Sequence, residues 1–475
     1  MGRFTARLAG VLAVIIGTSG LLVPTSAAAP ARAEAPARTG TPASTEIPAD
    51  PGAATQCALP GAGEAVRRAK PEDVNLDPAA VREAMRYANT HLRLSVRIHR
   101  NNCEVGTGAL DPVTQGAPWN VWSSTKGVIS MLTGIAYDHG KLALDDPIGK
   151  YLPAGWGDRA HRAITVRQLL TETSGLSEAI LSEAATTGTD ANVVRQALAL
   201  PIEHRPGTNF EYSQRTPDLL GYVVQRAVGE DLQEFAQREL FGPIGIPDNS
   251  YFWLRDRSGN TYGYAHLFIP PREFARLGLL MQNNGSWQGR RIISDDYMNQ
   301  ARQPTTTNPC YGFLFWVNKG QRCVTADIPS ERTLDRRMVP SAPDDMFAQV
   351  GAFQQNNFVI PSLDMTVSWT GLGGDLAPDP QAMLSASPGA DLYHEFFRIL
   401  LRGVRDRPVP DPGSFPGDTP NLDVNPVNYL DPRVLLNGVA AAPDCNLLVC
   451  NGTVPTKGAL RNAQSIVNAL AGYRP

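Results

Sequence analysis

The pattern of apolar and polar residues changes twice along this chain. Residues 94–100, LSVRIHR, alternate apolar and polar side chains and are followed by Asn101 and Asn102, so they predict a strand that ends in a turn. From about residue 125 to residue 300, apolar residues return every three or four positions, which is the spacing of amphipathic helices. The helix candidates read KGVISMLTGIAYDHGK, VRQLLTE, ANVVRQALAL, PDLLGYVVQRAV, DLQEFAQREL and PREFARLGLLMQNNG.

Beyond residue 310 the patterned segments become shorter. Four runs rich in aromatic and β-branched residues predict strands: YGFLFWVN, MFAQVG, NNFVIPS and DMTVSWTG. The segment ADLYHEFFRILLRGV then predicts an amphipathic helix. One early strand, a long helical middle and consecutive strands closed by a helix predict an α+β fold, with helices packed on an antiparallel sheet.

The N-terminus differs from this patterned middle. Arg3 and Arg7 precede an apolar run at 8–23 and the small-residue stretch TSAAAPARA, which is typical of a secretory signal peptide, here residues 1–33. The alternative is a transmembrane anchor, but the run is short for a full span and contains GTSG at 17–20. We therefore expect a secreted or cell-envelope protein with no stable transmembrane anchor after cleavage.

Composition also suggests where the domains begin and end. The Ala- and Pro-rich stretch after the signal predicts a flexible leader, and the Pro-rich stretch after the last strong helix predicts an appended extension, which ends in the weak helix ALRNAQSIVNALAGY. The predicted divisions are the leader 34–63, the main domain 64–405 and the extension 406–475, with the sheet part of the domain at 64–122 and 305–405 and its helical part at about 123–304.

Charge and cysteine content narrow the function classes. A formal charge of −3, with 42% hydrophobic and 19% charged residues, indicates an ordinary folded protein with no strong field for nucleic acid or an anionic membrane. The six cysteines all follow the signal, and their spacing suggests Cys310–Cys323 and Cys445–Cys450, leaving Cys57–Cys103, although other connectivities stay open. No paired C-x-x-C and no neighbouring histidine cluster is present, so we expect no metal site. No G-x-x-x-x-G-K-S/T loop indicates a nucleotide, and we expect no other cofactor.

The decapeptide NVWSSTKGVI places Ser123 three residues before Lys126. A serine hydroxyl needs a base to become a nucleophile near neutral pH, and residues three apart on a helix share a face. A lysine enclosed away from water can be that base, and the Ser123 amide at the helix start would face a developing oxyanion. The alternative is a capping serine and a solvated lysine, but the apolar run GVISMLTGIA after the pair indicates a buried helix.

Four blocks around and after this pair resemble a known family. They read WSSTKGVISMLTGIAYDHGKLALDDPIGKYLP, ITVRQLLTETSGL, HRPGTNFEYSQRTPDLLGYVVQRAVG and FGPIGI. In this order they resemble the serine β-lactamase-related hydrolases, which include class C β-lactamases, family VIII carboxylesterases, D,D-peptidases and 6-aminohexanoate-dimer hydrolases. The resemblance spans roughly residues 65 to 405 and implies a β-lactamase/transpeptidase-like fold, with Ser123 as nucleophile and Lys126 as its base.

By this resemblance, Tyr212, Ser213 and Gln214 occupy the family's second motif, Tyr-x-Asn or Tyr-Ser-x. The tyrosine of that motif relays protons between serine, lysine and leaving group, and a phenol near an ammonium ionises more easily than a free one. Gln214 replaces the common asparagine, which puts its contact with substrate in doubt. The alternative for Tyr212 is a purely packing aromatic.

The third family motif, Lys/His-Thr-Gly, is best matched by Gln349-Val350-Gly351-Ala352. No cation stands at Gln349, and such a cation holds the substrate carboxylate in β-lactams and peptidoglycan stems. The 6-aminohexanoate-dimer hydrolase branch is similar in having an uncharged residue there, and its G-x-x-x-Q and V-x-P-x-x-D-x-x-V patterns resemble residues 351–355 and 359–367. The backbone N–H of Gly351 or Ala352 would supply the second oxyanion donor.

These features predict an exported serine hydrolase that cleaves small ester, amide or peptide substrates through an acyl-enzyme on Ser123, with no nucleic-acid partner. An alternative is a β-lactamase or D,D-carboxypeptidase acting on cell-wall-type substrates, which Gln349 argues against. An alternative from another class is a catalytically inactive, penicillin-binding-protein-like binding module. The joint presence of Ser123, Lys126 and Tyr212 argues against that reading, since a binding module has no need of all three.

Overall fold

The computed structural model describes residues 54–91, 93–328, 330–371, 385–415, 431–432, 449 and 456–472. Contacts between Cα atoms divide the chain into Met1–Thr55 and Gln56–Pro475, and every element below lies in the second unit. The predicted signal peptide, most of the predicted leader and the predicted Cys445–Cys450 disulfide lie outside the described residues. No helix in the described part of the chain is long and apolar enough to cross a membrane.

A six-stranded antiparallel sheet forms the frame of the molecule. The strands, in chain order, are β1 (Arg93–Arg100), β2 (Cys103–Thr107), β3 (Trp119–Asn120), β4 (Phe252–Trp253), β5 (Leu267–Ile269), β6 (Ser286–Trp287), β7 (Arg290–Arg291), β8 (Trp316–Val317), β9 (Cys323–Val324), β10 (Thr333–Leu334), β11 (Phe347–Gly351), β12 (Gln355–Ile360) and β13 (Met365–Gly371). The large sheet has the order β2-β1-β13-β12-β11-β8, and all its neighbours pair antiparallel. Its strands come from both ends of the domain, so the helical middle is inserted between them.

The helices lie mostly between strands β3 and β8, as the apolar spacing predicts. They are α1 (Pro78–Asn89), α2 (Asp111–Thr114), α3 (Ser124–Asp138), α4 (Arg159–Ala163), α5 (Val166–Leu170), α6 (Ile180–Ala185), α7 (Val193–Ala197), α8 (Arg215–Val228), α9 (Leu232–Ala236), α10 (Pro271–Gln282), α11 (Asp295–Ala301), α12 (Asp391–Leu401) and α13 (Lys457–Gly472). Helix α9 continues into a π-helical turn, Gln237–Phe241, and single 3₁₀ turns occur at Pro71–Val74, Ile148–Lys150 and Pro361–Leu363.

Strands β11 to β13 are buried along their whole length because helices cover both faces of the sheet. On one face, Phe358 and Trp369 pack against aromatic rings of α12, with centroids about 5 Å apart. Asn357 points to the other face, where its Nδ2 donates to the Phe274 carbonyl of α10 (2.9 Å). Alternate residues of a strand point to opposite faces, so a strand covered on both sides is buried at every position.

Helix α3 runs through the interior, and its residues 124–136 are all buried. Two glycines allow this close packing. A Cβ at Gly127 would lie 2.6 Å from the Gln349 side chain, and a Cβ at Gly134 would lie 2.5 Å from the Tyr297 ring, so a larger residue would push the helix away. The helix ends at Asp138, and Gly140 follows with φ 64°, close to the predicted stop.

Several predicted elements differ from the structure. The strand predicted at YGFLFWVN is wrong for most of its length, because the chain turns at Leu314 (φ 58°) and forms a strand only at Trp316–Val317, with Tyr311 in an isolated bridge to Trp316. The helix predicted at ANVVRQALAL is confirmed only over Val193–Ala197. The apolar and polar pattern does not predict helix α1 or the edge strand β2.

Two of the three suggested disulfides are confirmed, Cys57–Cys103 and Cys310–Cys323. The predicted C-terminal helix is also confirmed, as α13. Its Asn462 side chain accepts from the N–H of Arg255 (2.9 Å) and donates to the carbonyl of the same residue (3.1 Å), which fixes this helix beside strand β4.

Candidate active site

Ser123 lies in a sharp turn between β3 and α3. The preceding residue, Trp122, has φ 46°, in the left-handed region that bulky residues seldom adopt. The Asn120 side chain holds the turn, since its Oδ1 accepts from the N–H of Trp122 (2.9 Å) and of His266 (3.2 Å). Ser123 is the N-cap residue of α3, but its hydroxyl makes no capping hydrogen bond. The alternative of a capping serine is therefore wrong.

Lys126 lies one turn into α3 and is only 1% exposed, so the alternative of a solvated lysine is also wrong. Its Nζ donates to the Ser213 carbonyl, to Gln214 Oε1 (3.2 Å) and to Glu172 Oε1 (3.3 Å). Burial lowers the pKa of Lys126, because the ammonium form loses its hydration, and the Glu172 carboxylate opposes that lowering. The lysine is thus enclosed and held by acceptors in one position.

The Tyr212 side chain connects the serine to the lysine. Its hydroxyl is close enough to the Ser123 side chain for that side chain to influence its pKa, and Lys126 Nζ lies 4.1 Å from the centroid of its ring. Burial raises the pKa of Tyr212 well above its usual value, and the Ser123 side chain acts in the opposite direction. The expectation that a nearby ammonium would ease ionisation is therefore wrong, because desolvation outweighs it. Tyr212 is a neutral phenol, which can accept one proton while it donates another.

Aromatic packing fixes the Tyr212 ring. It stacks on Trp316 with centroids 6.0 Å apart and meets the edge of Tyr311 at 6.2 Å. Both partners lie in the segment that begins at Cys310 and is closed by its disulfide to Cys323. Tyr212 is thus a packing aromatic as well as a partner of the serine, and the packing holds its hydroxyl in place.

Gln214 lies at the start of helix α8, where its main-chain N–H donates to Glu183 (3.1 Å). Its side-chain Oε1 reaches Lys126, so the extra methylene relative to asparagine is used to contact the lysine. A contact between Gln214 and substrate stays a prediction.

Gly351 brings strand β11 against the turn that carries Ser123. A Cβ at this position would lie 2.3 Å from the Val121 carbonyl oxygen and 3.1 Å from the main-chain N of Ser123. Only a residue without a side chain permits this approach. The arrangement brings strand β11 close to the Ser123 amide, and Ala352 follows directly at 8% exposure. An oxyanion site built from these amides stays a prediction that this geometry supports.

Gln349 is buried two residues earlier on the same strand. Its Nε2 donates to the Ser124 carbonyl (3.3 Å), and its Oε1 accepts from Asn357 (3.2 Å). It also fills the space left by Gly127. In this structure Gln349 joins the strand to helix α3, and a contact with substrate stays a prediction.

Glu172 is the main residue of this site that the sequence pattern does not predict. Its carboxyl is fully buried beside Lys126, although the two residues are 46 positions apart. Burial raises the pKa of Glu172 above its usual value, and the adjacent Lys126 opposes that rise by favouring the carboxylate form. The available signal was a single charged residue, in LLTETSGL, between apolar and small residues. The described residues contain no group of three His, Cys, Asp or Glu side chains placed to hold a metal ion.

Comparisons with known proteins support a relation over most of the chain. A family model described as Beta-lactamase matches residues 88–381. Protein Rv1367c of Mycobacterium tuberculosis is 28% identical over 277 residues, which cover 46% of this chain and 69% of that protein. Protein flp of Staphylococcus aureus is 27% identical over 146 residues, which cover 30% of this chain and 29% of that protein.

Solved structures agree on the fold. A Bacteroides dorei protein assigned as a β-lactamase has a TM-score of 0.53 at 16% identity and matches 68% of this chain and 99% of its own. A Bacillus anthracis protein assigned as a 6-aminohexanoate-dimer hydrolase has a TM-score of 0.51 at 13% identity and matches 66% of this chain and 79% of its own. The predicted β-lactamase/transpeptidase-like α+β fold is confirmed.

Proposed function

The chain belongs to the β-lactamase family, and we propose that it is an exported serine hydrolase that cleaves ester or amide bonds of small substrates. Ser123 attacks the carbonyl carbon and becomes acylated, and water then releases the acyl group. Lys126 takes the serine proton. Tyr212 passes a proton to the leaving group as a neutral phenol.

The buried contact among these three side chains carries the proposal. The Ser123 side chain acts on the Tyr212 hydroxyl, and the Tyr212 ring covers the Lys126 amine, with Nζ 4.1 Å from the ring centroid. Enclosure lowers the pKa of Lys126, and a lysine that loses its proton more easily can serve as a base near neutral pH. A binding protein has no use for a lysine held in this way beside a serine that is not a cap.

The oxyanion would lie between the amides of Ser123 and of Gly351 or Ala352. The close approach that requires glycine at position 351 supports this assignment. Two main-chain donors fixed in this way need no rearrangement when charge develops on the substrate oxygen.

Gln349 bears on the choice of substrate. No charge stands at this position, and its amide is hydrogen-bonded within the protein, so a substrate carboxylate finds no cation there. We therefore favour neutral short-chain esters and amides over β-lactams and D,D-peptides. A chromogenic cephalosporin checks the alternative: we expect slow or no hydrolysis, and rapid turnover would favour the β-lactamase.

Export rests on the N-terminal pattern and is supported by the disulfides Cys57–Cys103 and Cys310–Cys323, since such bonds persist in oxidising compartments. Expression in a secreting bacterial host, followed by N-terminal sequencing of the protein in the medium or envelope, tests it. We expect a start near Glu34. A protein that keeps Met1 and stays in the cytoplasm contradicts export.

Intact-mass spectrometry after treatment with a fluorophosphonate tests the serine. We expect a single adduct on the wild type, none on Ser123→Ala, and slow formation on Lys126→Ala. Ser124→Ala is the matched control, because the neighbouring hydroxyl is buried and donates to the Gln355 carbonyl (2.6 Å). That variant should form the adduct at the wild-type rate. No adduct on a folded wild type would leave the binding-module alternative.

A further inference from the structure

Glu172 and Lys126 form an ion pair inside the protein. The Glu172 side chain is 0% exposed, that of Lys126 is 1% exposed, and 3.3 Å separates Oε1 from Nζ. Removing two charges from water is costly, and buried pairs often give less stability than apolar residues of the same size. A buried pair that includes the candidate base therefore calls for a functional explanation.

The backbone holds Glu172 in an unusual conformation. Its φ is 51°, in the left-handed region that a residue with a long side chain adopts only at a cost in free energy. Two hydrogen bonds fix the loop after α5: the Glu172 carbonyl accepts from the N–H of Glu211 (3.0 Å), and the N–H of Thr173 donates to the Gln168 carbonyl (2.9 Å). The first of these bonds ties Glu172 to the residue before Tyr212. The strained loop and the tyrosine segment are thus held as one unit.

The carboxyl of Glu172 also acts on the lysine more strongly than any other charge. Burial is the largest influence on the pKa of Lys126 and lowers it, and the charge and hydrogen bond of Glu172 come next and raise it, ahead of Glu183 and Asp218. The main-chain N–H of Ser213 faces the same carboxyl and favours its ionised form. Glu172 is therefore the group placed to control how firmly Lys126 holds a proton.

We propose that Glu172 is a positioning residue that completes a Ser123–Lys126–Glu172 arrangement: its carboxylate orients the amine and stabilises the ammonium formed when Lys126 deprotonates Ser123. This role rests on the proposed hydrolase function. In the step, the O–H bond of Ser123 breaks, its electron pair forms the bond to the substrate carbonyl carbon, and the π bond of that carbonyl breaks so that its pair moves to the oxygen. The proton is taken by the lone pair of the Lys126 amine and forms the third N–H bond of the ammonium. Glu172 exchanges no atom, and the ammonium proton later goes to the leaving group through Tyr212.

The pH dependence of fluorophosphonate labelling distinguishes this role from simple packing. We would measure the second-order labelling rate from about pH 5 to about pH 10 for the wild type, Glu172→Gln and Glu172→Asp. An ionised neighbour can only strengthen the hold of Lys126 on its proton, so Glu172→Gln should move the acidic limb of the profile to lower pH. Its plateau should fall about 10- to 100-fold, the effect of losing one hydrogen bond to a charged group in the transition state. Glu172→Asp restores the charge with a shorter reach and should recover part of both changes.

Glu273→Gln is the matched control. It removes a different buried carboxylate, on α10, which pairs with Arg276 (2.8 Å). We expect no shift of its acidic limb, and urea unfolding would show that all variants are folded. A folded Glu172→Gln with the wild-type limb and plateau overturns the role, as does a rate loss without a shift of the limb. Absence of labelling on the wild type refutes the hydrolase and this role together, whereas a labelled wild type with an unaffected Glu172→Gln refutes the role of Glu172 alone.

Discussion

Replacing Gly351 by alanine should disturb the oxyanion geometry and also destabilise the sheet. The added Cβ would lie 2.3 Å from the Val121 carbonyl oxygen, and real Cβ atoms essentially never approach closer than 3.0 Å, so strand and turn must separate by about 0.7 Å. The Val121 carbonyl oxygen is a main-chain atom and the added Cβ is bonded directly to the main chain, so no flexible side chain can absorb the shift. A displacement approaching 1 Å between reacting groups can reduce a rate by about 100-fold, equivalent to about 2.7 kcal/mol of activation free energy.

The assay for Gly351→Ala is the rate of fluorophosphonate labelling, measured beside urea unfolding. We expect a loss of about 100-fold in labelling and a loss of about 1–3 kcal/mol in the free energy of unfolding, as for other overpacked sites. Gly106→Ala is the control, because its added Cβ would meet only side-chain atoms, the nearest being Val81 at 3.2 Å, and it lies on edge strand β2, far along the sheet order from β11. Labelling of Gly351→Ala within twofold of the wild type would refute the inferred approach of β11 to Ser123.

Two further predictions concern the disulfide and the buried acids. Replacing Cys310 and Cys323 together by serine removes a cross-link with a sequence separation of 13, so we expect the free energy of unfolding in urea to fall by about 2–4 kcal/mol. Labelling should also slow, because Tyr311 and Trp316 would support the Tyr212 ring less well. An unchanged unfolding midpoint would contradict this prediction. Burial raises the pKa of Asp256 to about 7 and that of Glu331 to about 8, so the folded protein binds more protons than the unfolded chain, and stability should fall as the pH rises from about 7 to about 9. A higher urea midpoint at about pH 9 than at about pH 7 would show the sign to be wrong.

The sequence pattern predicts those site residues whose role depends on residues close to them in the sequence. Ser123 and Lys126 share a helix turn, and the apolar run after them indicated burial, which the structure confirms. The motif position of Tyr212 followed from a resemblance, and its contact with Ser123 agrees with it. The prediction that the Tyr212 phenol ionises easily is wrong, because the sequence shows a possible ammonium neighbour but not the extent of desolvation. Glu172 was missed for a related reason, since only the folded loop brings it to a lysine 46 residues away.

The effect of Gln349 on substrate choice depends on its identity and on its packing. The sequence indicated that a cation is missing from the third motif, and the structure adds where that side chain points. It faces helix α3, fills the space above Gly127 and is hydrogen-bonded to the Ser124 carbonyl and to Asn357. A charge placed at the Gln349 amide would be buried against the helix rather than presented to a substrate. The preference against carboxylate-bearing substrates therefore depends on the packing of β11 on α3 as well as on the identity of residue 349. A cationic residue at position 349 alone would not restore a carboxylate-binding site.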